Sequence, residues 1–206
     1  MIGQESAHCT GNAPEPEQII TASAACALYL SAKHPSVKSV YLVGSAGLEE
    51  ELTNAGIKCH RSPDSERRQV VNDELFLAME APNVEAVVVG GDFGHSFYDC
   101  CLASLCLQKC PSAPFLCTAR DAFDQLRDRR LPGPTEAMAS IIEKSSGVSV
   151  VVCGKPSAEL GSFVVERFGA EDTGRHRASK LWCCWCLFSI HSKPMSGGAK
   201  VTEVAN

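Results

Sequence analysis

The sequence predicts an α/β protein built on a largely parallel sheet, and three observations carry that reading. Four short runs are apolar and of strand type: 37–43 (VKSVYLV), 86–89 (AVVV), 114–118 (PFLCT) and 148–153 (VSVVVC). Segments of helical composition alternate with them, and glycine-bearing turns follow the first, second and fourth. Strands that are apolar on both sides belong to sheets covered on both faces, which is the usual state of a parallel sheet.

The elements follow in order. Residues 1–16, ending Pro14-Glu15-Pro16, are polar and aperiodic and read as a loose leader. The alanine-rich segment 17–32 reads as a helix stopped by His34-Pro35. After the first strand comes Gly44-Ser45-Ala46-Gly47, then a helix over 48–55 with Gly56 as its stop. Residues 57–73 are polar and read mostly as loop. The second strand ends in Gly90-Gly91 and leads to a helix over 97–108. After the third strand, 121–134 reads as a charged loop and 135–145 as a helix closed by Gly147. The fourth strand leads into a helix over 157–168 that stops at Gly169.

Composition bounds the function. With 206 residues, 45% hydrophobic and 21% charged, the chain fits one globular domain or a core with an inserted subdomain. Disordered, collagen-like and coiled-coil chains are excluded. There are 24 acidic against 19 basic residues, a formal charge of -5, and no concentrated basic face, so a nucleic-acid partner is not expected. The chain has twelve cysteines, and Met1–Thr10 has neither the basic start nor the apolar run of a secretory signal. The thiols are therefore expected to be reduced and packed, in a cytoplasmic protein. Cys100, Cys101, Cys106 and Cys110 share one helix with spacings that match no common zinc site.

In such folds, functional groups lie in loops at the carboxyl ends of the strands. Gly44–Gly47 has neither a dinucleotide fingerprint nor a phosphate-loop lysine and reads as a tight turn, with a nucleotide- or flavin-binding domain as the rival reading. Gly90-Gly91-Asp92 is a second such loop. The third, Gly154-Lys155-Pro156-Ser157, places an ammonium where a buried strand enters a helix with proline in its first turn. That position suits a phosphate or carboxylate, and it equally suits a solvated surface lysine.

Six blocks, taken together, resemble a known family: TASAACALYL (21–30), VYLVGSAGLEEELTNAGI (40–57), VEAVVVGGDFGHSFYDCCLASLCLQ (84–108), TARDAFDQL (118–126), LPGPTEAMASIIEKSSG (131–147) and VVVCGKPS (150–157). In this order and spacing they are similar to the haloacid-dehalogenase superfamily, in the branch of p-nitrophenylphosphatase, phosphoglycolate phosphatase and pyridoxal phosphatase. The resemblance implies a Rossmann-like core, partial here (17–37 and 148–173), with a large inserted α/β cap (38–147). It implies hydrolysis of a small phosphorylated metabolite through an aspartyl-phosphate, with magnesium as cofactor, and caps of this type imply a homodimer. Lys155 matches the lysine that neutralises the phosphoryl group and Ser157 follows it in the same block. Asp92 matches the start of the substrate-facing cap block, with the histidine displaced by one place. Thr118, Arg120 and Asp121 match the second cap block, where Ala119 replaces a polar residue. Asp124 stands where pyridoxal-phosphate-specific members carry a substrate-contacting histidine, which counts against that substrate.

Two expected motifs do not occur. No Asp-x-Asp, the nucleophile and general-acid pair of the family, lies anywhere in the sequence. The magnesium-binding Gly-Asp segment, due shortly after 157–168, is replaced by divergent text over 174–206, where LWCCWCLFSI (181–190) is apolar but about half the length of a membrane span. Glu171 and Asp172 read as turn residues rather than metal ligands. The loss of resemblance favours a translated intron, a frameshift or an alternative transcript. The chain is thus expected to be a phosphatase truncated at both ends and inactive as written. A catalytically silent cap or dimerisation module is the alternative.

Overall fold

A computed structural model describes residues 19–62, 73–92, 94, 96–155, 161 and 182–183. Its centre is a five-stranded parallel sheet of β2 (Ser39–Val43), β3 (Lys58–His60), β4 (Ala86–Val89), β5 (Phe115–Ala119) and β8 (Val151–Lys155), in the order β3-β2-β4-β5-β8. This is a doubly wound order, which reverses direction between β2 and β4. The register aligns Val40–Val43 with Ala86–Val89, and Val87–Val89 with Phe115–Cys117.

Alternation along the strands builds two cores. Tyr41, Val43, Val87, Val89, Phe115 and Cys117 face α4 (Phe97–Lys109) and α5 (Pro134–Ser146). Val40, Leu42, Ala86, Val88, Leu116 and Cys153 face α1 (Ala22–Lys33) and α2 (Ala46–Asn54). Each buried Val, Leu or Phe contributes about 1.5–3 kcal/mol through removal from water. A strand that must fill both cores has no polar side, which is why these runs read as continuous apolar text.

Local chemistry sets the helix limits. The Thr21 hydroxyl accepts from the Ala24 N–H at 3.0 Å and starts α1. Ser96 and Asp99 form a reciprocal capping box at the start of α4. Pro134 opens α5, and Gly147 closes it in the left-handed region at φ +75°. A short helix, α3 (Asp73–Ala78), precedes β4.

Three expectations are corrected. The polar stretch after Ile57 contains β3, which parallel pairing with β2 holds as a strand. The charged segment after β5 is an antiparallel hairpin, β6 (Phe123–Leu126) with β7 (Arg129–Pro132), closed by cross-strand hydrogen bonding despite its charges. The helix expected over 17–32 begins later: Ile19–Ile20 is β1, paired with β9 (Trp182–Cys183), and the Thr21 cap starts the helix. β8 hydrogen-bonds to β5, and α1 packs on both. The loose leader, the helix over 157–168 and the divergent tail lie outside the described residues, except for residues 161, 182 and 183.

Candidate functional site

All five parallel strands deliver polar residues to one edge, the carboxyl edge, where ligands of doubly wound sheets bind. From β3 comes Arg61, from β2 Gly44 and Ser45, from β4 Asp92, from β5 Thr118, Arg120 and Asp121, and from β8 Lys155.

At the switch point between β2 and β4, Arg61 is the organiser. Its guanidinium donates to the Gly44 carbonyl at 2.6 Å and pairs with Glu49 at 2.8 Å and Asp92 at 3.5 Å. The other Asp92 oxygen accepts from the Gly94 N–H at 2.8 Å. Asp92 is thus a fixed, half-buried carboxylate above the β4 end. Gly90 beneath it is closely packed, and a Cβ there would stand 2.4 Å from the tip of the Leu48 side chain, which would have to shift. Arg61 was not among the expected site residues. It follows a strand that its polar neighbours concealed.

Thr118 is buried at the end of β5, and Asp121 is exposed just beyond it. Arg120, expected at the substrate, has its guanidinium committed elsewhere. It pairs with Glu136 and Glu143 of α5 and donates to the Ser140 hydroxyl at 3.4 Å. These three residues form an i, i+4, i+7 stripe along α5, and Glu143 also accepts from the Val150 N–H at 3.0 Å. The hydrogen bond from Arg120 holds the Glu136 carboxyl below its ordinary range, and Glu136 in turn raises the guanidinium. Arg120 clamps the β5 end to α5.

Lys155 closes β8, its backbone in register with Ala119 across an irregularity between Cys117 and Ala119. Asp124 is half-buried on β6, opposite Leu131 of the hairpin. Ser157, Phe93 and His95 lie outside the described residues. The edge therefore brings together the backbones of Asp92, Thr118, Arg120, Asp121 and Lys155, with Asp124 on the hairpin that rises from it.

Among the described residues no three His, Cys, Asp or Glu side chains converge where a metal ion could be held. The carboxylates of Glu49, Asp92, Glu136 and Glu143 are each tied to an arginine. No helix among the described residues is long and apolar enough to cross a membrane.

Comparison with known proteins gives the edge a context. No protein-family model matches the chain. Phosphoglycolate phosphatase 1A, chloroplastic, of Arabidopsis thaliana is 33% identical over 156 residues, covering 75% of this chain and 43% of that protein. The 4-nitrophenylphosphatase of Schizosaccharomyces pombe is 29% identical over 158 residues, covering 75% and 52%. Chronophin of Bos taurus is 32% identical over 139 residues, covering 66% and 42%. The chain thus spans about half the length of the relatives it matches. Among solved structures, a thermostable NPPase of Geobacillus stearothermophilus aligns with a TM-score of 0.62 at 21% identity, covering 82% of this chain and 59% of that one. A glycerol phosphate phosphatase of Mycobacterium tuberculosis, in complex with magnesium, aligns with a TM-score of 0.61 at 22% identity, covering 80% and 45%. These likenesses show the fold.

Proposed function

The chain belongs to the haloacid-dehalogenase-like phosphatases, and from that premise we propose that it acts on small phosphomonoesters of the phosphoglycolate or p-nitrophenyl phosphate type. The observation that carries the proposal is the position of Lys155, whose backbone ends β8 beside Ala119 on the edge that also holds Asp92. A cation at that point suits phosphoryl transfer, which is catalysed mainly by positioning and charge neutralisation. In this reading Lys155 and Ser157 hold phosphate oxygens, and Asp92, Thr118, Asp121 and Asp124 face the rest of the substrate. Arg120 serves as a positioning residue rather than a ligand, because α5 already occupies its guanidinium.

Magnesium is carried over as the cofactor from the neighbour crystallised with it, and the described residues supply no ligand set for it. A cytoplasmic location is part of the same reading, supported by the eight cysteines from Cys26 to Cys153, which are free thiols.

The test is hydrolysis of p-nitrophenyl phosphate and phosphoglycolate by the purified full chain with magnesium, beside Lys155→Ala. Hydrolysis that falls by about a hundredfold or more in the variant supports this reading and overturns the expectation that a chain without an Asp-x-Asp pair is inactive. Equal hydrolysis by both proteins removes Lys155 from the site.

Hydrolysis by neither protein favours the second reading, a catalytically silent module that associates through the cap into a homodimer. Its supporting observation is a groove among α3, α4 and α5 where Phe76, Phe97 and Ile141 are exposed. A chain that sediments as a monomer at high micromolar concentration argues against that reading.

A further inference from the structure

The strand that ends in Lys155 is irregular just before it. Cys117 of β5 aligns with Val152 of β8, and Ala119 aligns with Lys155. One residue of β5, Thr118, therefore faces two of β8, Cys153 and Gly154. This is a β-bulge, which bends its strand and shifts by one the alternation of the residues beyond it. Bulges of this kind re-aim the residue that follows, and here that residue is Lys155. The phosphatase reading uses Lys155 and leaves Cys153 without a role.

Two contacts hold the bulge against β5. A Cβ on Gly154 would collide with the Thr118 carbonyl oxygen, so the glycine admits the closest approach of the two strands. The Cys153 thiol donates to the Cys117 carbonyl at 3.1 Å, one residue earlier. A side chain thus supplies a hydrogen bond to β5 at the place where the ladder skips a residue. Cys153 is fully buried in the core beneath α1, where Cys26 hydrogen-bonds to the same sulfur. An apolar side chain of similar size would fill that space and offer the Cys117 carbonyl no donor.

We infer that Cys153 is a positioning residue for Lys155. The hydrogen bond from its thiol to the Cys117 carbonyl fixes the bulge, and the bulge sets the direction in which the chain leaves β8 at Lys155. The consequence for phosphate rests on the reading of Lys155 as the phosphate site: binding there depends on a side chain that does not touch the ligand. A thiol is a weak donor, so a serine hydroxyl replaces it in kind, whereas valine keeps the bulk and loses the donor.

The experiment compares the full chain with Cys153→Val and Cys153→Ser, by amide proton–nitrogen correlation spectra and by calorimetric titration with inorganic phosphate. In Cys153→Val the amide signals of Ala119 and Lys155 are expected to move, and the affinity for phosphate to fall about fivefold or more. In Cys153→Ser the signals are expected to return, with affinity within about twofold of the unchanged chain. Cys26→Ala disturbs the same core from α1 and leaves the donor to Cys117 in place. It should keep the affinity within about twofold even where it lowers the melting temperature. Signals that stay in place in Cys153→Val, or equal losses of affinity in Cys153→Val, Cys153→Ser and Cys26→Ala, overturn the inference, because core packing alone then explains them. Lys155→Ala separates the two readings. If it abolishes phosphate binding and Cys153→Val does not weaken it, the Lys155 reading stands and this inference fails. If phosphate binding is absent or survives Lys155→Ala, while the signals move in Cys153→Val and return in Cys153→Ser, the bulge device stands and the Lys155 reading fails.

Discussion

The carbonyl oxygen of Thr118 occupies the space beside Gly154 so fully that a Cβ built on the glycine would lie 1.8 Å from it. The two strands approach this closely where the β5–β8 register shifts, one residue before Lys155, and the same Cβ would meet Ala22 of α1 at 3.2 Å. The glycine of the Gly-Lys-Pro turn is therefore required by backbone contact from one side and helix contact from the other. Neither obstacle is the far end of a flexible side chain.

Gly154→Ala is consequently expected to destabilise the protein, because β8 must move away from β5. Overpacking of this kind costs about 2–3 kcal/mol, equivalent to a melting temperature roughly 4–12 °C lower in a domain of this size. Thermal denaturation by circular dichroism measures it. An unchanged melting temperature would mean that the strands are free to separate.

The Arg120 clamp predicts a pH signature. The folded-state pKa of Glu136 is depressed by Arg120, so its contribution to stability is complete above the ordinary carboxyl value of 4.5 and is lost as pH falls through the depressed value. Arg120→Met should cost about 1–2 kcal/mol at neutral pH, since the network is partly buried and doubly paired. The difference between the two proteins should shrink below about pH 4. Urea unfolding at pH 7, 5 and 3.5 tests it, and a constant difference across that series would remove Glu136 as the cause.

How much of this was legible in the sequence depended on which force shapes each element. Burial wrote β2, β4, β5 and β8 in apolar text, and the carboxyl-edge rule then pointed to the loops of Asp92 and Lys155, whereas Thr118 was reached only through the family resemblance. β3 escaped because its Lys58 is exposed and Cys59 and His60 only half-buried, so pairing with β2 rather than burial makes it a strand. Arg61 escaped with it. The hairpin escaped because its turn is Arg127-Asp128, without the Asn-Gly or Asp-Gly that marks such turns. Arg120 was reached through the resemblance, but its partners lie 16 and 23 residues away on α5, and single-sequence text carries no record of such pairing.

The described cysteines should differ widely in reactivity. Burial pushes the thiols of Cys100, Cys106 and Cys117 up to about 12 and that of Cys59 up to about 11. Cys26 is raised by its hydrogen bond with Cys153 and then by burial, and the Cys153 thiol donates to the Cys117 carbonyl at 3.1 Å. Thiolate is the reactive form, so none of these should be alkylated in the native protein at pH 7.5. Cys110, exposed at the end of α4, should be modified first among the described thiols. Iodoacetamide labelling followed by peptide mass spectrometry reads this order. Early labelling of Cys26 or Cys117 would show that α1 opens away from the sheet.

Arg127 gives the last prediction, and here two opposing effects must be weighed. Its φ of +57° costs an L-residue roughly 1–2 kcal/mol that glycine avoids. Glycine in turn loses about 0.5–1 kcal/mol more backbone entropy on folding. Conformational relief is the larger of the two, so Arg127→Gly should stabilise the hairpin by roughly 0.5–1 kcal/mol and slow amide exchange across the Gln125–Arg130 pair. The Gln125 side chain, which donates to the Arg127 carbonyl at 2.6 Å, keeps its acceptor in the variant because it contacts backbone only. Faster exchange in the variant would mean that the backbone entropy lost by glycine outweighs the relief of the positive φ.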